Sequence, residues 1–462
     1  MSENLIVVSA DSHAGMPLEL WTEYLDPRYH HLLPELHEES VICPTALYLV
    51  NAKNRTTDFP EHTEAHRTNW HGLHDAQLRL ETMDAEGIAA EVVYSGDSRL
   101  HDLFFSVTNR PYPFDVWHAG AQAWNRWAAD TFGAAPDRFL LTAAIGPCVD
   151  MAAAIAELEW LASAGFVATY VPGYMHHAGM APLYDPYWDP FWAACADLGL
   201  AVVVHAGFGT EQGSLFAEFE RIYDDAARAA GSRDREAVMA HPDAVSDESR
   251  KYIANLASHS LPARRPLWQL TLGGVFDRHP TLKFVLSEIR VDWLPATLRY
   301  LDGVYDEHRA DLPTTRRPSE HWASNCAAVA SFIHKAEVGM FAEAGRENVF
   351  FGRDYPHQEG TWPHTRQWLS DACFGMPEDD LRRLLGENAI RFYGLDRARL
   401  AAIADRIGPS IEEIGRRDPQ LPEALVQNFS RRGGYLKPIE GDRQLGAVAE
   451  LVTEDLARIG AR

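Results

Sequence analysis

Short apolar runs alternate along the chain with longer stretches of helical period. The runs at 5–8, 91–95, 139–145, 166–171, 201–205, 282–288 and 348–351 are rich in Val, Leu, Phe and Tyr and read as strands. Several are apolar on both faces, as strands of a covered parallel sheet are. Between and around them, 78–86, 116–131, 151–164, 190–198, 292–305 and 333–344 have helical spacing, and Gly165 and Gly199 stop two of these helices. Strand–helix alternation with doubly buried strands predicts an α/β fold, a distorted (β/α)8 TIM barrel. The count reaches eight strands only if 326–332 is one.

Three segments break the repeat. Residues 24–75 carry many His and Pro residues and no clean period. Residues 207–265 form a polar insertion after the fifth strand, expected to be helical around 218–230; a βα-loop insertion in a barrel lies on the active-site face, so it reads as a lid or substrate wall. Residues 396–462 read as a charged helical extension with a turn at 430–434, packed on the barrel or on a neighbouring subunit of a homodimer. The barrel domain is therefore expected over 1–395.

The net charge of −24 argues against a nucleic-acid or anionic-membrane surface. No run approaches the roughly 18 apolar residues of a membrane span, and no signal peptide is visible. The five cysteines are scattered without a CxxC pair, which excludes a thiolate zinc site and fits a reducing cytoplasm.

The candidate chemistry collects at strand ends. Asp11 and His13 are spaced i, i+2 at the end of the first strand, on one side of the pleat. His205 closes Val202-Val-Val-His205, and Glu288 closes Phe284-Val-Leu-Ser-Glu288. Asp354 follows the last strand, with His357 three residues on. Singly, each has an ordinary reading as a turn cap, a core histidine or a paired carboxylate. Jointly they converge on one barrel mouth, where Asp, His and Glu donors suit Zn²⁺, Mn²⁺ or Fe²⁺. Arg290 is expected to orient Glu288 from behind. Tyr174, His176 and His177 follow the fourth strand at the same mouth, as substrate contacts or plain loop residues.

Taken together, Ser9-Ala-Asp-Ser-His-Ala-Gly15, Val204-His-Ala-Gly207, the segment 273–293 and Asp354-Tyr-Pro-His-Gln-Glu-Gly360 resemble the amidohydrolase superfamily, in its branch of metal-dependent hydrolases and non-oxidative decarboxylases. The resemblance covers about residues 5–395. It implies that Asp11 and His13 are first-strand ligands, more often His-x-His in the family. It makes His205 the fifth-strand ligand, and Asp354 a ligand and general base. Glu288 stands where many relatives have a sixth-strand His, and the fourth strand lacks the lysine that bridges dinuclear hydrolases.

The resulting carboxylate-rich set resembles non-haem diiron centres, and the acidic, long-insertion form resembles the amidohydrolase-fold diiron monooxygenases of platensimycin-type diterpenoid biosynthesis. That resemblance implies two irons held by Asp11, His13, His205, Glu288, Asp354 and His357, with O₂ hydroxylating a bulky apolar substrate. A CoA thioester substrate would bring its phosphates to Arg264-Arg265 or Arg316-Arg317, which read otherwise as solvated surface charge, and the aromatics Tyr174, Tyr184, Tyr187, Trp188, Phe191 and Trp192 would wall the pocket or simply pack the barrel. The alternatives are a hydrolase of an amide, ester or lactone, and a non-oxidative decarboxylase. The alternative metal is one Zn or Mn, though a hydrolase could also be dinuclear; Asp354 would take the proton in the hydrolase, and His357 or Asp354 would handle it in the decarboxylase.

Overall fold

The computed structural model describes residues 4–52, 65, 70–96, 108–172, 179–209, 211, 213–258, 261–357, 360–417, 419–431 and 444–459. Eight parallel strands follow one another around a barrel: β1 (Val8–Ser9, resumed at His13–Ala14), β2 (Ala90–Ser95), β3 (Phe139–Ala143), β4 (Ala168–Tyr170), β5 (Ala201–Val204), β6 (Phe284–Leu286), β7 (Cys326–Ser331) and β8 (Val349–Gly352). The segment 326–332 is thus a strand, as the count required. Every strand is buried, so the long apolar runs of the sequence are the barrel wall.

Local sequence explains where the helices start and stop. Asp75 caps the helix Ala76–Glu86 by accepting from Gln77 N and Leu78 N at 2.9 and 3.0 Å, and Gly87 closes it at φ 78°. Asp150 caps Met151–Ser163 in the same way, and Gly199, at φ 73°, ends Asp189–Leu198. The helix expected over 333–344 is two short ones, Lys335–Val338 and Phe341–Gly345, parted at Gly339.

Closure of the barrel is a run of backbone hydrogen bonds between first and last strands. Ala10 N donates to Phe351 O (2.8 Å), Asp354 N to Asp11 O (2.9 Å) and His13 N to Tyr355 O (2.7 Å). On its other edge β1 changes register. Ser9 pairs with Glu91 but His13 pairs with Tyr94, so β1 holds one residue more than β2 over that stretch. Such a bulge re-aims side chains at a barrel rim, and here it falls on residues 10–12.

Behind this seam lies a fully buried ion network. Glu91, on the outer side of β2, pairs with Arg79 (2.8 Å) and with Arg353. Arg353 also reaches Glu86 at 2.9 Å, and Arg79 donates to the carbonyl of His13. Burial pushes the Glu91 carboxyl up, but the two guanidiniums outweigh it and hold it below the usual carboxylate range. The network ties helix Ala76–Glu86 to the backbone on both sides of the seam.

The two irregular insertions fold together. Helix Leu33–Ala52 packs on Ser214–Ala230, Arg235–Met239 and Asp247–Ser258 around a second apolar core that includes Ile42, Ala46, Leu49, Phe216, Phe219 and Ile222. These segments leave the barrel after β1 and β5, the two strands that lead to Asp11, His13 and His205. In the tail, Leu445–Ile459 docks on Leu261–Leu272, where the buried Asp455 accepts from Arg265, Trp268 and Gln269 at 2.9–3.1 Å. The turn expected at 430–434 lies largely outside the described residues. No described helix is long and apolar enough to cross a membrane.

Removing Glu91 leaves the buried Arg79 guanidinium without a carboxylate and Arg353 with Glu86 as its carboxylate partner, so Glu91→Ala is expected to lower unfolding stability by about 3–5 kcal/mol. Asp306→Ala, which breaks only the half-exposed pair with Arg317, should leave the denaturation midpoint in place. Equal midpoints for the two variants in urea would contradict the structural weight given to the network.

Candidate metal centre

The strand ends deliver the polar residues to one place. Asp11 and His13 come from the bulged end of β1, His205 follows β5, Glu288 follows β6, and Asp354 and His357 follow β8. Glu288 and Asp354 both adopt left-handed backbone, each at φ 54°. For residues with a Cβ this costs on the order of 1 kcal/mol apiece and is retained where the surroundings demand it.

Two groups of potential ligand atoms form, Asp11/His13/His205 and His13/Asp354/His357. His13 Nε2 lies 3.5 Å from Asp11 Oδ1 and 3.3 Å from Asp354 Oδ1, and His205 Nε2 is 3.3 Å from Asp11 Oδ1. Adjacent donors around one ion bound at roughly 2.0–2.2 Å stand about 3.4 Å apart when tetrahedral. His357 Nδ1 sits 2.9 Å from Asp354 Oδ1. Glu288 is in neither group; its Oε2 lies 3.5 Å from His205 Nδ1, on the far side of that ring from Asp11.

The donors are prepared for a cation. His13 Nδ1 faces the Ser95 carbonyl at 3.1 Å, which assigns the proton to Nδ1 and leaves a lone pair on Nε2. Burial, then the neighbouring His357, pushes the His13 imidazole below its ordinary value, so it is neutral as a ligand must be. Burial alone would raise Asp354, but His357 and His13 hold it well below the carboxylate range. His13 Nε2 and both carboxylate oxygens of Asp354 are buried, and Asp354 Oδ1 meets only the imidazole nitrogens of His13 and His357. A buried carboxylate left this way is costly unless it meets a cation. The residues therefore fit a divalent metal.

Arg290 makes a two-point ion pair with Asp292 at 3.0 and 3.1 Å. Tyr174, His176 and His177 lie outside the described residues. Of the aromatics near the fourth loop, Tyr184, Trp188, Phe191 and Trp192 are buried in helix–barrel packing, which is the plainer of the two readings of that cluster. The basic pairs have structural partners: Arg264 is buried against the Trp293 ring, Arg265 is held by Asp455, Arg316 by Glu320 O, and Arg317 by Asp306. The sequence did not single out Ser331, whose Oγ donates to Asp11 Oδ2. A serine ending a run of small residues carries no motif.

This chain belongs to the amidohydrolase family, whose model matches residues 63–395. No curated protein matches it in sequence. Its fold is similar to that of 5-carboxyvanillate decarboxylase LigW from Sphingomonas paucimobilis, at 20% identity and a TM-score of 0.53 over 84% of this chain and 99% of that one. It is also similar to 2,6-dihydroxybenzoate decarboxylase from Rhizobium, at 21% identity and a TM-score of 0.51 over 84% and 99% of the two chains. A third is a dihydroxybenzoic acid decarboxylase from Polaromonas sp. JS666, solved with bound manganese and 2-nitroresorcinol, at 18% identity and a TM-score of 0.51 over 85% and 98%.

If one ion sits against His13, His13→Ala and Asp354→Asn should each strip most of the divalent metal from purified protein, measured by elemental mass spectrometry. Glu288→Gln should retain it, since Glu288 stands behind His205. Loss of metal in Glu288→Gln as complete as in His13→Ala would make Glu288 a direct ligand.

Proposed function

We propose that this protein is a metal-dependent non-oxidative decarboxylase of a hydroxylated aromatic acid, with one divalent ion held by Asp11, His13, His205 and Asp354. The observation that carries the single ion is the sharing of His13. Both ligand groups include it, its Nδ1 is turned to Ser95 O, and one Nε2 lone pair serves one ion. The decarboxylase reading draws on the fold relatives, one of which was solved with manganese.

When bound, the metal would supply Lewis-acid chelation of the substrate carboxylate and an adjacent oxygen. His357 is the most exposed of the six residues, 22% against 0–15% for the others, and thus faces the mouth. Asp354 orients it through the 2.9 Å contact at Nδ1. The carbon–carboxylate bond breaks with its electron pair left on the ring carbon. His357 gives a proton to that carbon, and CO₂ leaves.

A second reading, O₂-dependent hydroxylation at two irons, draws on Glu288 as a third carboxylate beside His205. One experiment separates them. Manganese-loaded protein supplied with ortho-hydroxybenzoates under nitrogen should release CO₂, and His357→Ala should cut kcat by about 10²-fold or more with metal content unchanged. No CO₂ from any such acid, together with O₂ uptake by iron-loaded protein given a reductant, would favour the second reading.

A further inference from the structure

We infer that Ser331, with Gly352 beside it, is a positioning pair that makes Asp11 a one-oxygen ligand; the inference rests on the metal centre proposed above. Ser331 is the last residue of β7 and stands in register with Gly352 of β8. Its Oγ crosses to donate a hydrogen bond to Asp11 Oδ2, while Asp11 Oδ1 is the oxygen that faces His205 and His13. The two carboxylate oxygens thus have different neighbours: one a hydroxyl proton, the other two imidazole nitrogens.

The rest of Asp11 is equally fixed. Its carbonyl accepts from Ser9 Oγ at 2.8 Å and from Asp354 N at 2.9 Å, and Ser9 Oγ in turn accepts from Arg353 N at 2.9 Å. Gly352 leaves the room for this. A Cβ there would lie 2.6 Å from Asp11 Cβ, 2.9 Å from Val329 Cγ1 and 3.1 Å from Ser331 Oγ. Any side chain at 352 would therefore push the Asp11 carboxylate off its hydroxyl.

A carboxylate beside a divalent ion is able to chelate through both oxygens. With Oδ2 claimed by Ser331, Asp11 gives one, and the coordination position that the second oxygen would fill stays open for substrate. Ser331 touches no substrate; it acts through Asp11.

The test uses metal-depleted full-length protein titrated with Mn²⁺ by calorimetry and with Co²⁺ by visible absorption. Ser331→Ala should weaken Mn²⁺ binding about 10–100-fold, as loss of a partner behind a ligand does, and Ser331→Thr, which keeps the hydroxyl, should restore most of it. The Co²⁺ bands should weaken in Ser331→Ala as the second Asp11 oxygen enters and coordination number rises. A residue that serves only folding would move the melting of the metal-free protein but neither metal readout. Should Ser331→Ala not fold, Gly352→Ala is expected to give the same loss by displacing Asp11. Wild-type Mn²⁺ affinity in Ser331→Ala, with binding abolished in His13→Ala, overturns the role of Ser331 and leaves the metal centre standing. Wild-type affinity in His13→Ala as well overturns the metal centre itself.

Discussion

The seam between the first and last strands is the constraint on which the rest depends. Closing a parallel barrel joins residues some 340 positions apart, and here the joining hydrogen bonds run through the residues that carry the chemistry. Asp354 N binds Asp11 O, and His13 N binds Tyr355 O. Positioning of two ligands from opposite ends of the chain is therefore part of closing the fold. The buried charges of Glu86, Glu91, Arg79 and Arg353 stand directly behind, and Arg79 holds the His13 carbonyl itself. A balanced network of this kind is weak evidence of net stability but strictly intolerant of losing one member. It fixes the seam in one geometry.

Energy is spent at the mouth to aim side chains. The bulge in β1 and the left-handed residues Glu288 and Asp354 depart from regular strand geometry where carboxylates must turn inward. The result is a cluster of imidazoles, the neutral His13 among them, and desolvated carboxylates whose donor spacing suits a small divalent ion. His205 is approached by Asp11 at Nε2 and by Glu288 at Nδ1. Such carboxylate–imidazole–metal alignments set tautomer and ring orientation. On this view the replacement of a sixth-strand His by Glu changes what supports His205 rather than adding a ligand.

The barrel was legible because strand period and helix-ending glycines are local signals, as at Gly199. Convergence of Asp11, His13, His205, Asp354 and His357 was legible because a barrel sends all its strand ends to one mouth. What hid elsewhere did so for physical reasons. Helix Leu33–Ala52 buries residues 36, 39, 42, 43, 45, 46, 49 and 50, a helical stripe, yet Glu39 and Thr45 occupy that stripe while Val41 faces solvent and Pro44 interrupts the run. Glu39 is tolerated there because it accepts from Asn109 and Tyr112, partners some 70 residues away. Ser331 was invisible because its role depends on a contact across 320 residues.

On the proposed reading, one divalent ion sits where the seam brings Asp11, His13, His205 and Asp354 together. The most direct measurement is the anomalous scattering of crystals grown with Mn²⁺. One strong peak per chain is expected, within about 2.0–2.3 Å of His13 Nε2, His205 Nε2 and one oxygen each of Asp11 and Asp354. Two peaks bridged by Glu288, or a single peak that leaves His13 uncoordinated, would contradict it.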